Sequence, residues 1–179
     1  MDDTLIKKAE EFATKAHEGQ TEKDALKTPY IFHPKKVAEL VTLSGGSFQE
    51  ISSAWLHDVV EDTPITIEII EKEFGSEIAR IVKGLTDLPS FSELPVAERK
   101  QKQADHISME NDSVRRVKLA DQISAINLDG HNTLLDKDHR IAYLEGAKKI
   151  AEKCKDISPM LDNLFTEMYI STMDFIKNS

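Results

Sequence analysis

The segment Ala54-Trp55-Leu56-His57-Asp58-Val59-Val60-Glu61-Asp62-Thr63 sets one imidazole and three carboxylates among apolar neighbours. Read as a continuous helix, it places His57 over Glu61 on one face and Asp58 over Asp62 on the adjacent face, because residues one turn apart align. Three carboxylates this close repel one another and are costly to bury unless a cation compensates them. Consecutive helical residues diverge by only about 100°, so the adjacent pair His57-Asp58 can chelate a single ion. Mixed nitrogen and oxygen donors suit Mn²⁺, Zn²⁺ or Fe²⁺ better than Ca²⁺.

A divalent ion needs further donors from elsewhere in the chain. His33 stands immediately before Pro34, at the start of a helix. Asp121 closes Val117-Lys118-Leu119-Ala120-Asp121, an otherwise apolar helical stretch in which it could also simply pair with Lys118. Taken singly, a His-Asp dipeptide, a helix-terminal histidine and a helical aspartate are ordinary. The four together, beside the acidic pair Glu61-Asp62, make a candidate metal centre.

Helices must position these residues. Leu5, Ala9, Phe12, Ala13 and Ala16 recur with helical spacing up to Gly19, and the aperiodic stretch from Gln20 to Phe32 predicts a loop. Pro34 can open a second helix as its first residue, and Gly45-Gly46 ends it. Ser47 with Glu50 predicts a capping box for a helix running through Val59 to Thr63-Pro64. Thr66 caps a short helix reaching Phe74-Gly75, and Glu77 to Leu88 reads as another. After a loop from Pro89 to Pro95, helices are expected over Val96–Ile107, Ser113–Leu128, Asp138–Lys155 and Ser158–Lys177. No alternating run reads as a strand. The expected fold is all-α, a single helical domain over residues 1–179. The last apolar stripe, with Leu161, Leu164, Phe165, Met168, Thr172, Phe175 and Ile176, can pack on the core or form a homodimer face; a stripe of this kind is more often core.

The bulk numbers narrow the partners. A net charge of −9 repels polyanions, so bulk nucleic acid is excluded as a partner, whereas a small phosphorylated substrate needs only a local cation cluster. With one cysteine, Cys154, no internal disulfide can form, and a buried structural thiol in a reducing compartment is expected. The start Met1-Asp2-Asp3-Thr4 carries no apolar signal core, and no stretch approaches the roughly 18 apolar residues of a membrane span. A cytoplasmic protein without a membrane partner is the expectation.

Several motifs occur in an order that resembles a known family. Pro29-Tyr30-Ile31-Phe32-His33-Pro34 with Val37-Ala38, then His57-Asp58-x-x-Glu61-Asp62-Thr63, Phe74-Gly75, Val82-Lys83-Gly84-Leu85-Thr86-Asp87, Glu98-Arg99-Lys100-Gln101-Lys102-Gln103 and Val117-Lys118-Leu119-Ala120-Asp121 resemble the HD-domain hydrolases of the RelA/SpoT type. The resemblance runs from about Ile6 to Ala151, and is greatest to the small stand-alone alarmone hydrolases related to the metazoan SpoT homologue. It implies an HD-domain helical bundle and one Mn²⁺ held by His33, His57, Asp58 and Asp121. It also implies hydrolytic removal of pyrophosphate from the 3′ position of guanosine tetra- or pentaphosphate. Glu61 and Asp62 match the pair that orients and deprotonates the attacking water. Lys23 matches a basic residue before the first histidine, and Arg140 and Tyr143 match positions lining the substrate pocket. Arg99, Lys100 and Lys102 are further candidates for binding the phosphates.

The chain departs from that family at substrate positions. Glu22 stands where the family usually has Arg. Gln122 replaces the usual Arg or Lys after the aspartate, and Ala125 replaces an Asn. Asn127 cannot substitute for it, since two helical residues turn the side chain by about 200°. These departures leave open a related phosphohydrolase acting on another nucleotide, such as an adenosine alarmone, a phosphorylated dinucleotide or a nucleoside monophosphate. A non-catalytic nucleotide-binding module is the third reading; a decayed site should have lost ligands or the acidic pair, and neither is lost.

Overall fold

In the computed structural model, residues 3–179 are described, apart from the side chain of Asp129; Met1 and Asp2, the first residues of the expected 1–179 domain, lie outside the described residues. The helices are α1 (Asp3–Ala16), α2 (Phe32–Leu43), α3 (Phe48–Leu56), α4 (Val59–Asp62), α5 (Ile67–Phe74), α6 (Ser76–Leu85), α7 (Val96–Ile107), α8 (Asp112–Gly130), α9 (Lys137–Lys153) and α10 (Pro159–Asn178), with a 3-10 turn at Pro89–Phe91. Among the described residues there is no strand, only an isolated antiparallel bridge between Thr21 and Pro29 in the loop before α2. Nor is any described helix long and apolar enough to cross a membrane.

Helix α8 organises the molecule. It packs against α2, α3, α6, α7, α9 and α10. It can do so because it is apolar on nearly every side: Val114, Val117, Leu119, Ala120, Ile123 and Ile126 are all buried. A helix apolar all round belongs inside a bundle. The few polar side chains that α8 does bury, Lys118, Asp121, Gln122 and Ser124, therefore need partners within the protein.

The capping box at Ser47 forms: Ser47 Oγ accepts from the Glu50 amide at 3.2 Å, and Glu50 Oε2 accepts from the Ser47 amide at 2.7 Å. Arg116 of α8 braces it, with Nε 3.5 Å from Glu50 Oε2 and Nη1 donating to the Ser44 carbonyl at 3.1 Å. The α2–α3 corner, which carries the imidazoles on either side of it, is thereby pinned to the central helix.

Two expected helices are shorter than their patterns suggested. The helix expected from Ser47 to Thr63 breaks after Leu56, and a new turn, α4, starts at Val59. His57 Nδ1 lies 2.8 Å from the Ala54 carbonyl, the acceptor that the Asp58 amide would use in an unbroken helix. The helix expected from Glu77 to Leu88 ends at Leu85. Beyond it the Asp87 amide donates to the Glu61 carboxylate at 3.0 Å, and Gln103 Nε2 donates to the Asp87 carboxylate. Both interruptions deliver acidic residues to the same place. Helix α2 starts at Phe32, two residues earlier than expected, and Pro34 still falls in the first turn, where its missing amide costs nothing.

Of the C-terminal stripe, Leu161, Phe165, Thr172 and Ile176 are buried, and α10 packs on α8 and α9. Cys154 is buried at the end of α9, and burial pushes its thiol up to about 12. Helices α7 and α9 meet at Gly146, where an added Cβ would lie 2.4 Å from Lys100 Cβ and 2.5 Å from its Cγ. Since the Lys100 side chain is buried and cannot swing away, Gly146→Ala must prise the helices apart. Urea unfolding is expected to read a loss of about 1–3 kcal/mol; a neutral substitution would show that the α7–α9 contact is loose.

Candidate active site

Four side chains from separate segments converge on one point. His33 comes from the first turn of α2, His57 and Asp58 from the break between α3 and α4, and Asp121 from the middle of α8. The two imidazole Nε2 atoms face each other at 3.3 Å. Asp58 Oδ2 lies 2.9 Å from His57 Nε2 and 3.6 Å from His33 Nε2. Asp121 Oδ1 lies 3.2 Å from His33 Nε2 and 3.8 Å from His57 Nε2. His33, His57 and Asp58 alone offer three ligand atoms within 4.8 Å of one another.

This donor set fits a divalent cation. Donors at neighbouring vertices around an ion with bonds of about 2.1 Å are roughly 3.0–3.4 Å apart, which is the scale of these separations. Each imidazole also has its other nitrogen engaged. His57 Nδ1 meets the Ala54 carbonyl, and His33 Nδ1 meets Ser124 Oγ at 2.9 Å. Nδ1–H donation of this kind leaves the Nε2 lone pair for a metal.

The electrostatics show how strongly the cluster demands positive charge. Burial by itself would lower the His57 pKa, yet Asp58 and Asp121 outweigh it and push the imidazole up to about 9. Burial likewise opposes the Asp58 charge, and the imidazoles of His57 and His33 overcome it, holding the carboxyl below its usual range. Asp121 is also lowered against burial, by Lys118 first and then the histidines. A divalent ion would take over the compensation that a proton on His57 otherwise provides.

The cluster opens into a cleft of about 1060 Å³. Glu61 and Asp62 line it. Glu61 is pushed up to about 7 by burial and by the charges of Asp87 and Asp58, against the hydrogen bond from the Asp87 amide. Asp62 is raised by burial and by Asp58, with a hydrogen bond from Tyr30 opposing the shift. The expected face-sharing on one helix is replaced by the break at His57-Asp58. Glu61 leans toward the Thr86-Asp87 corner and Asp62 toward Tyr30, so the two carboxylates approach the cleft from different neighbours.

Of the residues named for substrate binding, Arg99, Lys100 and Tyr143 line this cleft. Lys23, Lys102 and Arg140 do not. Lys23 is exposed in the loop before α2, its carbonyl accepting from Asn132 Nδ2 at 3.0 Å, and Lys102 is exposed on α7. Arg140 is buried on α9 with its guanidinium turned to the Gly130 carbonyl and Ser179 Oγ. Glu22 and Ala125 line the cleft, whereas Asn127 faces a separate cavity of about 410 Å³ behind His33.

Several contributors carried little signal in the sequence. Tyr30, inside the Pro29–Pro34 motif, donates its hydroxyl to Asp58 Oδ2 at 2.5 Å. Lys118 does pair with Asp121, Nζ to Oδ2 at 3.1 Å, but Asp121 faces the imidazoles with its other oxygen, so the two readings of that aspartate are both true. Arg80 and Lys83 on α6 add positive charge to the cleft wall. Only the periodicity of α6, which leaves both on its non-core face, could have suggested them.

Comparison with known proteins agrees with this geometry. Residues 9–157 match the HD domain family. The guanosine-3′,5′-bis(diphosphate) 3′-pyrophosphohydrolase MESH1 of Danio rerio is 43% identical over 114 residues, covering 63% of this chain and 62% of that protein. The Homo sapiens protein of the same name is 32% identical over 167 residues, 90% of each chain. A solved metazoan orthologue of SpoT, described as hydrolysing ppGpp, superposes with a TM-score of 0.85 at 26% identity, covering 93% of this chain and 94% of that one. With two histidines and two aspartates gathered on a helical bundle of this shape, the chain belongs to the HD-domain family.

Proposed function

We propose that the protein is a metal-dependent phosphohydrolase that removes pyrophosphate from the 3′ position of guanosine tetra- or pentaphosphate, giving GDP or GTP. The observation that carries this reading is the convergence of His33, His57, Asp58 and Asp121 beside Glu61 and Asp62, in a cleft whose walls also bear Arg80, Lys83, Arg99, Lys100 and Lys118. The activities printed for the MESH1 relatives and the SpoT orthologue support the same substrate.

The four convergent residues are the proposed ligands of one divalent ion, Mn²⁺ in this reading. Bound there, such an ion supplies a Lewis acid for the phosphoryl oxygen and lowers the pKa of coordinated water. The rest of the chemistry belongs to side chains. Lys100 and Arg99 bind and orient the phosphate groups. Glu61, with its carboxyl near neutrality, accepts the proton of the attacking water, and Asp62 orients that water. Water oxygen bonds to the phosphorus attached to the ribose 3′-oxygen, that P–O bond breaks, and the departing ribose oxygen takes up a proton. Tyr30 and Ser124 hold Asp58 and His33 in place throughout.

A second reading has its own support. Ala125 and Glu22 line the cleft where the family usually presents an Asn and an Arg, which favours a different nucleotide on the same hydrolytic centre. A product assay on guanosine tetraphosphate with added Mn²⁺ separates the two. Pyrophosphate release supports the alarmone reading, and activity confined to nucleoside monophosphates overturns it.

Two further outcomes are expected. Adding Mn²⁺ at 100 times its dissociation constant should stabilise the protein by about 2.7 kcal/mol. A chelator should reverse this, and Asp58→Ala should abolish both the stabilisation and turnover. Glu61→Gln should lower kcat by about 10²–10⁴-fold. A base must be ionised to act, so the wild-type rate should rise with pH through the Glu61 titration. That titration lies near 7 in the metal-free protein and moves lower once a cation is bound, and the rising limb should vanish in Glu61→Gln. A variant retaining the limb would remove Glu61 from this role.

A further inference from the structure

Gln122 sits at a position where the resemblance leads one to expect a cation, and it is almost fully buried, 2% exposed. Its amide is used at both ends. Oε1 accepts from Lys100 Nζ at 2.9 Å, and Nε2 donates to Asp121 Oδ2 at 3.0 Å. The charges at its two ends fix which way the amide points: only the oxygen can face an ammonium, and only the nitrogen a carboxylate. The two bonds therefore support each other, and neither survives a flip.

What lies at each end gives the bridge its meaning. Lys100 is 3% exposed, its ammonium lies 4.0 Å over the Tyr143 ring, and its stem is clamped against Gly146. Little freedom remains to the ammonium except along the cleft that it lines. Asp121 has its Oδ2 held by Gln122 and Lys118, which leaves Oδ1 facing the two imidazoles. A lysine at position 122 would have stood between Lys100 and Lys118 and repelled both. A neutral amide joins them to the carboxylate instead.

We infer that Gln122 is a positioning residue that couples a phosphate-binding cation, Lys100, to a metal ligand, Asp121. This rests on the proposed metal-and-phosphate reading of the cleft. The coupling has a direction of effect at each end: without the amide oxygen, Lys100 loses its fixed place, and without the amide N–H, Asp121 is freer to turn away from the imidazoles.

The test uses Gln122→Met, which keeps the volume and removes both hydrogen bonds, with Lys100→Met and the double variant. Two quantities are read by calorimetry: the Kd for Mn²⁺ in the absence of nucleotide, and the Kd for inorganic pyrophosphate on the Mn²⁺-saturated protein. Gln122→Met is expected to weaken Mn²⁺ about tenfold, at the lower end of what orienting partners of metal ligands contribute, and pyrophosphate by a similar factor. Lys100→Met should weaken pyrophosphate and, because it releases one end of the amide, weaken Mn²⁺ as well, but by less than Gln122→Met does. In the Lys100→Met background, Gln122→Met should still weaken Mn²⁺ but add nothing further to the pyrophosphate loss. A role in packing alone predicts multiplicative pyrophosphate losses, and that result, or an unchanged Mn²⁺ Kd in Gln122→Met, overturns the proposal. Should Gln122→Met fail to fold, Gln122→Leu supplies the same comparison. Neither readout involves a nucleotide, so a different natural substrate would leave the inference standing, whereas absence of Mn²⁺ binding to the wild-type protein would sink the metal reading itself.

Discussion

The buried Asp121, the half-buried Asp58 and two buried imidazoles, with carboxylate oxygens 2.9–3.8 Å from the imidazole Nε2 atoms, form the constraint on which the rest of this structure depends. Such a group is unstable without added positive charge, because each anion is stripped of water and faces another anion. The fold answers with several partial compensations. Lys118 stands against Asp121, and its ammonium is held charged, against the effect of burial, by Asp121, Asp87 and Glu61. Tyr30 donates to Asp58 while its own ionisation is suppressed by burial and by that same carboxylate. The imidazoles lean on the Ala54 carbonyl and on Ser124. Lys118, the Ala54 carbonyl and Ser124 engage the cluster from outside, Tyr30 shares the Asp58 oxygen that faces the imidazoles, and in the proposed reading the facing Nε2 atoms are left to a cation.

The same logic orders the cleft. A protein with a net charge of −9 is a poor partner for a polyanion, yet Arg80, Lys83, Arg99, Lys100 and Lys118, from α6, α7 and α8, line this cavity. Acidic groups line it as well: Glu61 and Asp62 lie next to the candidate metal centre, and Glu22, Asp87 and Glu110 also line the cleft. Carboxylates and cations therefore mix along the cleft, and Lys118 stands 3.1 Å from Asp121 at the candidate metal centre itself. The central helix α8 presents Lys118, Asp121 and Gln122 to one side and Ser124 to another. A single helix therefore relates the candidate metal centre, the proposed phosphate site and the support of His33.

Much of this was legible in the residues. Apolar periodicity located the helices, Ser47 with Glu50 announced a cap that forms, and Gly45-Gly46 ended α2 as expected. His57, Asp58 and Asp121 were visible as polar residues within apolar stretches and His33 by its place before Pro34, and the four became a candidate site only in combination. The places where the pattern misled were the two helix breaks. At His57 the side chain competes for a backbone acceptor, and at Thr86-Asp87 long-range hydrogen bonds from Gln103 and to Glu61 replace helical ones. Local periodicity cannot register a partner that is distant along the chain. Of the cations named, Lys23 and Arg140 through the resemblance and Arg99, Lys100 and Lys102 as further candidates, only Arg99 and Lys100 line the cleft. Gln122 read as a loss and turned out to be bonded at both ends of its amide.

One ion bound at the meeting point of α2, the α3–α4 break and α8 is what the proposed chemistry requires. Anomalous diffraction at the manganese edge from crystals grown with Mn²⁺ tests this most directly. One strong peak is predicted, at about 2.0–2.3 Å from His33 Nε2, His57 Nε2, Asp58 and Asp121. A peak elsewhere, or none in protein that turns over substrate, would contradict it.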